Sequence, residues 1–88
     1  MKKVIYFSAS WCQPCVTFGP LMDRVIARYP VEYQKAKVDS IFEDRALAGE
    51  YNVMSLPSVV FLTSGKQTSG FSGAKSEKQL VEWLDLNV

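Results

Sequence analysis

Val4-Ile5-Tyr6-Phe7-Ser8-Ala9-Ser10-Trp11-Cys12-Gln13-Pro14-Cys15 joins a short apolar run to two cysteines separated by two residues. The run is rich in β-branched and aromatic residues, the content of a strand buried on both faces. Beyond the cysteines, Phe18, Leu21, Met22, Val25, Ile26 and Tyr29 recur at i, i+3, i+4 and i+7. That spacing predicts an amphipathic helix ending near Arg28. Pro14 suits its first turn, where a missing N–H costs little. Gly19-Pro20 is expected to kink the helix without ending it, and Tyr29-Pro30 marks the stop. The cysteines thus stand at a strand-to-helix junction, where backbone N–H groups and the helix dipole favour an anion. Cys12 is expected there as an exposed thiol that ionises near neutral pH, and the thiolate is the form that attacks disulfides.

Val31 to Asp39 reads as a second strand, placed at a sheet edge because Glu32, Gln34, Lys35 and Lys37 interrupt its apolar content. Ser40-Ile41-Phe42-Glu43 has capping-box spacing and predicts a second helix running to about Tyr51, with Asp39 capping or preceding it. A turn through Asn52 to Pro57 leads into Ser58-Val59-Val60-Phe61-Leu62, another buried strand. Thr63-Ser64-Gly65-Lys66 predicts a hairpin turn, and Gln67 to Ser72 the returning strand. Gly73-Ala74-Lys75 connects to a last helix, where Ser76 and Gln79 form a second capping box and Leu80, Trp83 and Leu84 line the buried side. A right-handed parallel βαβ unit followed by an antiparallel hairpin makes an α/β fold. Its four-stranded mixed sheet, βαβαββα in chain order, carries helices on both faces.

The 88 residues leave room for one core, so residues 1–88 are expected to form a single domain. A net charge of +1, with Lys and Arg scattered along the chain, argues against nucleic acid or an anionic membrane surface as partner. The apolar run behind Met1-Lys2-Lys3 is too short for a signal peptide and runs straight into the cysteine motif, which makes the cytoplasm the default location. No transmembrane-length stretch occurs. Two cysteines at this spacing in a non-secreted chain are catalytic or metal-binding, because structural disulfides are rare there. Histidine is absent, so half of a zinc site would have to be completed by carboxylates. The redox reading fits the βαβ context, and no metal is expected.

With a strand leading into Trp11-Cys12-x-Pro14-Cys15, Pro20 in the following helix, Lys35 and Asp39 in the next strand, Leu56-Pro57, Gly65 and Gly73, the chain resembles the thioredoxin family over nearly its whole length. The resemblance implies a minimal thioredoxin fold, without the strand and helix that precede the motif strand in full-length thioredoxins. It implies a dithiol protein-disulfide reductase in which Cys12 is the nucleophile and Cys15 resolves the mixed disulfide. Trp11, Gln13, Pro14, Leu56, Pro57 and Gly73 would contact substrate, with Leu56–Pro57 in the cis form. No tightly bound cofactor is implied: electrons would come from NADPH through a flavin-dependent thioredoxin reductase. Protein disulfides would be the substrates, ribonucleotide reductase among them, and the chain would act as a monomer.

Two positions depart from the family pattern. Gln13 stands where Gly is usual, and is a candidate for tuning the redox poise. Tyr6 replaces the buried acid that thioredoxins carry six residues before the first cysteine. A phenol of ordinary pKa near 10 is a poor proton shuttle. Tyr6 is therefore expected to fill core volume, and Lys35 to be at most an electrostatic helper. Three other functions compete: a glutathione-dependent glutaredoxin-like enzyme, a binding module without turnover, and an oxidising foldase, which would need an export signal.

Overall fold

A computed structural model describes residues 1–88. The elements run β1 (Lys2–Ser8), α1 (Gln13–Ile26), β2 (Glu32–Lys37), α2 (Phe42–Glu50), β3 (Ser58–Thr63), β4 (Lys66–Ser72) and α3 (Glu77–Asn87). The strands hydrogen-bond in the order β2-β1-β3-β4. β1 and β2 are parallel, with Tyr6 opposite Lys35, whereas β3 runs antiparallel to both β1 and β4. β2 is an edge strand, as its charged residues require.

The unbroken apolar runs of β1 and β3 follow from their central positions, since alternate residues face opposite sides of the sheet. Val4, Tyr6, Val59 and Phe61 meet Phe18, Met22, Val25 and Ile26 of α1 and Leu80 and Leu84 of α3. Ile5, Phe7, Val60 and Leu62 form a second core on the other face, with Ala36 of β2 and Ala48 of α2. The two layers hold the C-terminal end of β1 rigid between helices, and that end carries the cysteine motif.

Local sequence signals account for most boundaries. Ser64 and Gly65, with φ of 52° and 82°, make the β3–β4 turn, a left-handed pair suited to a tight hairpin. Ser76 and Gln79 form the reciprocal cap of α3. Pro20 lies inside a continuous α1. That helix ends at Ile26, two residues before the expected stop, because the Arg28 and Tyr29 amides reach only to Val25 and Ile26, the tighter bonding of a 3₁₀ turn.

Two further expectations are corrected. β2 is shorter than Val31–Asp39 at both ends: the Val31 amide turns back to the Tyr29 carbonyl, and Asp39 leaves the ladder to bind Ser10. The Ser40–Glu43 capping box does not form: Ile41 is the N-cap of α2 and no side chain caps it. The Ser40 hydroxyl instead donates to Asp39, which is occupied elsewhere, while the first-turn acid Asp44 accepts the Lys37 amide at 2.8 Å. Helix α2 is thus tied to β2 by a side chain rather than closed by a cap.

Candidate functional site

Cys12 is the N-cap of α1 and Cys15 lies one turn into it, with Pro14 in the first turn. Their Cα atoms are 5.3 Å apart and their sulfurs form a disulfide. The Cys15 amide donates to the Cys12 sulfur at 3.3 Å. A sulfur that caps a 14-residue helix and accepts its N–H sits where negative charge is stabilised by the dipole and by a direct donor. This is the electrostatic placement the sequence predicted for Cys12.

The expected exposure of Cys12 is not observed. Cys12 is 4% exposed and Cys15 6%, so in the disulfide form both are buried. Ala9 shares their cluster, and Val38 and Leu56 pack against it. The helix start would leave Cys12 open to solvent, but the β2 terminus and the loop before β3 close over it.

Beneath the pair, Tyr6 is buried and its hydroxyl donates to the Cys15 carbonyl at 3.3 Å. Its ring meets Phe18 edge to face. Burial, then the charge of Asp23, push the phenol above its ordinary pKa. It is therefore neutral at physiological pH and fills core volume as expected. Lys35, opposite Tyr6 in the sheet, binds Asp23 of α1 at 3.0 Å. The other oxygen of Asp23 accepts the Tyr33 hydroxyl at 2.9 Å. Tyr6, Cys15, Asp23 and Lys35 line one cleft of about 280 Å³, so a carboxylate does stand on this side of the pair, carried by α1 rather than by β1.

Around the pair lies a rim of exposed side chains and open backbone. Trp11 is 70% exposed and Met54 92%. Gln13 and Pro14 are exposed on the first turn of α1. The Leu56–Pro57 bond is cis. Neither the N–H nor the C=O of Leu56 has a hydrogen-bond partner within the chain, so both are open to an extended segment laid beside them. The Pro57 carbonyl accepts the Gly73 amide at 2.8 Å, and Gly73 has φ of 84°, which a side chain would resist. The structure therefore brings Trp11, Gln13, Pro14, Leu56, Pro57 and Gly73 to one end of the sheet with the cysteines, and Tyr6 directly below. Lys35 is nearby but engaged with Asp23.

A family model described as Thioredoxin matches residues 1–86. The chain belongs to the thioredoxin family. It is 38% identical over 81 residues to the mitochondrial thioredoxin of Bos taurus, a match that covers 92% of this chain and 48% of that protein. Against the thioredoxin of Chlorobaculum thiosulfatiphilum it is 27% identical over 85 residues, covering 97% and 78% of the two chains. Among solved structures, Fasciola hepatica thioredoxin aligns with a TM-score of 0.84 at 34% identity, over 99% of this chain and 81% of that one. A thioredoxin mutant from Halobacterium salinarum NRC-1 aligns at 0.85 with 27% identity, over 98% and 74%. The chain spans about half the length of the mitochondrial relatives it matches.

Several members of this thioredoxin-family site had no role there in the sequence reading. Asp39, expected at the start of α2, accepts both the amide (3.1 Å) and the hydroxyl of Ser10 on one oxygen, and so pins the loop that carries Trp11. These hydrogen bonds, the Ser10 hydroxyl foremost, hold its carboxyl below the usual range. Val38, just past the end of β2, and Arg45 of α2 face the rim. A charged residue on a predicted helix reads as solvated surface, and only the packing of α2 brings Arg45 to the site. The zinc reading would require more ligands, and nowhere in the fold do three Cys, Asp or Glu side chains converge. No helix is long and apolar enough to cross a membrane.

Proposed function

We propose that the chain is a dithiol protein-disulfide reductase. The observation that carries this reading is the Cys12–Cys15 pair at the start of α1, with the Cys15 amide on the Cys12 sulfur and the unpaired Leu56 backbone beside it. In the reduced protein, the Cys12 thiolate attacks one sulfur of a substrate disulfide. A Cys12–substrate disulfide forms and one substrate thiolate leaves. Cys15 then loses its proton and attacks the Cys12 sulfur, which expels the second substrate thiolate and closes the Cys12–Cys15 disulfide. Two electrons pass to the substrate, whose thiolates take protons from solvent. With Tyr6 neutral and donating to a carbonyl, the proton of Cys15 goes to water or to the departing thiolate rather than to the phenol.

Substrate docks as an added strand against Leu56, with Trp11, Gln13, Pro14 and Gly73 around it and Pro57 behind. No bound cofactor is needed for this chemistry. The disulfide is returned to the dithiol by electrons from NADPH, delivered by a flavin-dependent thioredoxin reductase. Protein disulfides, including that of ribonucleotide reductase, are the clients of a monomer working in a reducing compartment such as the cytoplasm.

The test is turnover of a protein disulfide with NADPH and thioredoxin reductase, set beside glutathione and its reductase. The first is expected to sustain turnover, with a potential near −270 mV; glutathione-driven turnover near −200 to −230 mV would reassign the chain to the glutaredoxin class. Cys12→Ser is expected to abolish activity and Cys15→Ser to trap a mixed disulfide. A Cys12 that titrates no lower than the free thiol, about 8.5, would overturn the reading.

A further inference from the structure

The cleft that opens beside Trp11 holds a cation with no anionic partner. It is about 500 Å³ in volume, and Trp11, Val38, Met54 and Leu56 give it an apolar lining. Val38 and Leu56 also pack on the Cys12–Cys15 cluster, so two residues of the cleft's lining back onto the disulfide. Two ionised side chains reach it, Asp39 and Arg45. Asp39 keeps its charge but is turned to other donors: one oxygen takes both Ser10 donors, the other takes the Ser40 hydroxyl, and no ion pair joins it to Arg45.

Arg45 is exposed, and its Nε donates to the Val38 carbonyl at 3.3 Å. That bond anchors the base of the guanidinium. Its two terminal amino groups have no acceptor in the chain, since the three ion pairs of the protein are Arg24–Glu77, Arg28–Glu77 and Lys35–Asp23. A guanidinium fork matches a carboxylate in shape and charge, and one already held at Nε loses less freedom on binding it.

We infer that this cleft selects disulfide substrates carrying an aspartate or glutamate close to the reacting cysteine, with the carboxylate on Arg45 and an apolar neighbour between Trp11 and Met54. Val38 touches both Arg45 and the cysteine cluster, so the guanidinium lies on the order of 10 Å from the disulfide. An extended chain advances about 3.3 Å per residue, which puts the acid roughly two to four positions from the substrate cysteine. The selectivity rests on the disulfide-reductase reading above and adds the chemistry of its substrate.

The test uses three disulfide-linked peptides that differ only in Glu, Gln or Lys three residues from the cysteine. Each is reduced by the intact protein and by R45E and R45Q. In the wild type, kcat/KM is expected to favour Glu over Lys by about tenfold at low salt, and the preference should shrink as salt screens the pair. R45E is expected to invert the order and R45Q to erase it. Equal rates on all three peptides overturn the selectivity while leaving the reductase reading intact. A Glu preference that survives in both variants overturns it too, because another cation then carries the effect. If no peptide is reduced at all, the reductase reading fails and the selectivity fails with it.

Discussion

The Tyr6 hydroxyl donates to the Cys15 carbonyl, a buried bond between the central strand and the first turn of the cysteine helix. It ties the resolving cysteine's backbone to the sheet without touching its sulfur. Tyr6→Phe removes the bond and keeps the ring against Phe18. Stability should fall by about 1 kcal/mol in urea unfolding, the usual worth of one such bond. Turnover in a protein-disulfide assay should stay within about twofold. A tenfold loss would show that the phenol takes part in proton transfer.

Asp39 and Ser10 clamp the loop that presents Trp11. Because the hydrogen bonds from Ser10 lower the Asp39 pKa beneath 3.8, the clamp is complete above that value and is lost as pH falls through the lower, folded-state pKa. In an NMR titration the Ser10 amide should follow Asp39 and report a midpoint below 3.8. Asp39→Asn should flatten that titration and loosen Trp11, seen as faster quenching of its fluorescence. A midpoint at or above 3.8 would remove the clamp from this account.

Glu77, in the first turn of α3, meets Arg24 at 2.9 Å and Arg28 at 3.2 Å, both near the end of α1. The two guanidinium groups hold its carboxyl below 4.5. Its contribution is therefore full above pH 4.5 and disappears as pH drops through the folded-state value. The three side chains are half exposed, so the effect is small and weakened by salt. Glu77→Gln should lower the urea midpoint at pH 7 and match the wild type near pH 2. An equal difference at both pH values would assign the effect to packing.

Two glycines should respond to alanine in opposite directions. A Cβ on Gly70 would lie 2.9 Å from the Val59 carbonyl, in a strand pair whose register already shifts at Phe61/Leu62. Backbone must move, and Gly70→Ala should cost about 1–3 kcal/mol. A Cβ on Gly49, in α2, meets nothing within 4 Å. Gly49→Ala should stabilise by roughly 0.5–1 kcal/mol through the lower entropy of the unfolded chain. Chemical denaturation reads both, and stabilisation by the Gly70 variant would contradict the contact.

The pattern of residues alone was enough for the elements and the reactive pair. The apolar runs of β1 and β3, the helical spacing from Phe18 to Ile26, the Ser76–Gln79 cap and the Ser64-Gly65 turn are local properties, set within a few bonds along the chain. The same holds for the placement of Cys12 at a helix start, since strand, motif and helix are contiguous. Tertiary packing decided the rest, because it depends on which distant groups compete for a given donor or acceptor. Ser40 had the spacing of a cap, yet Asp39 took its hydroxyl, and Ser10, 29 residues from Asp39, took Asp39. Lys35 found its acid on α1, where no spacing rule points. The closure over Cys12 by Val38 and Leu56, and the unpaired guanidinium of Arg45 beside them, exist only once β2, α2 and the loop before β3 meet at one end of the sheet. Short-range periodicity encodes what each segment is; burial and hydrogen-bond satisfaction between remote segments determine which side chains face the sulfurs.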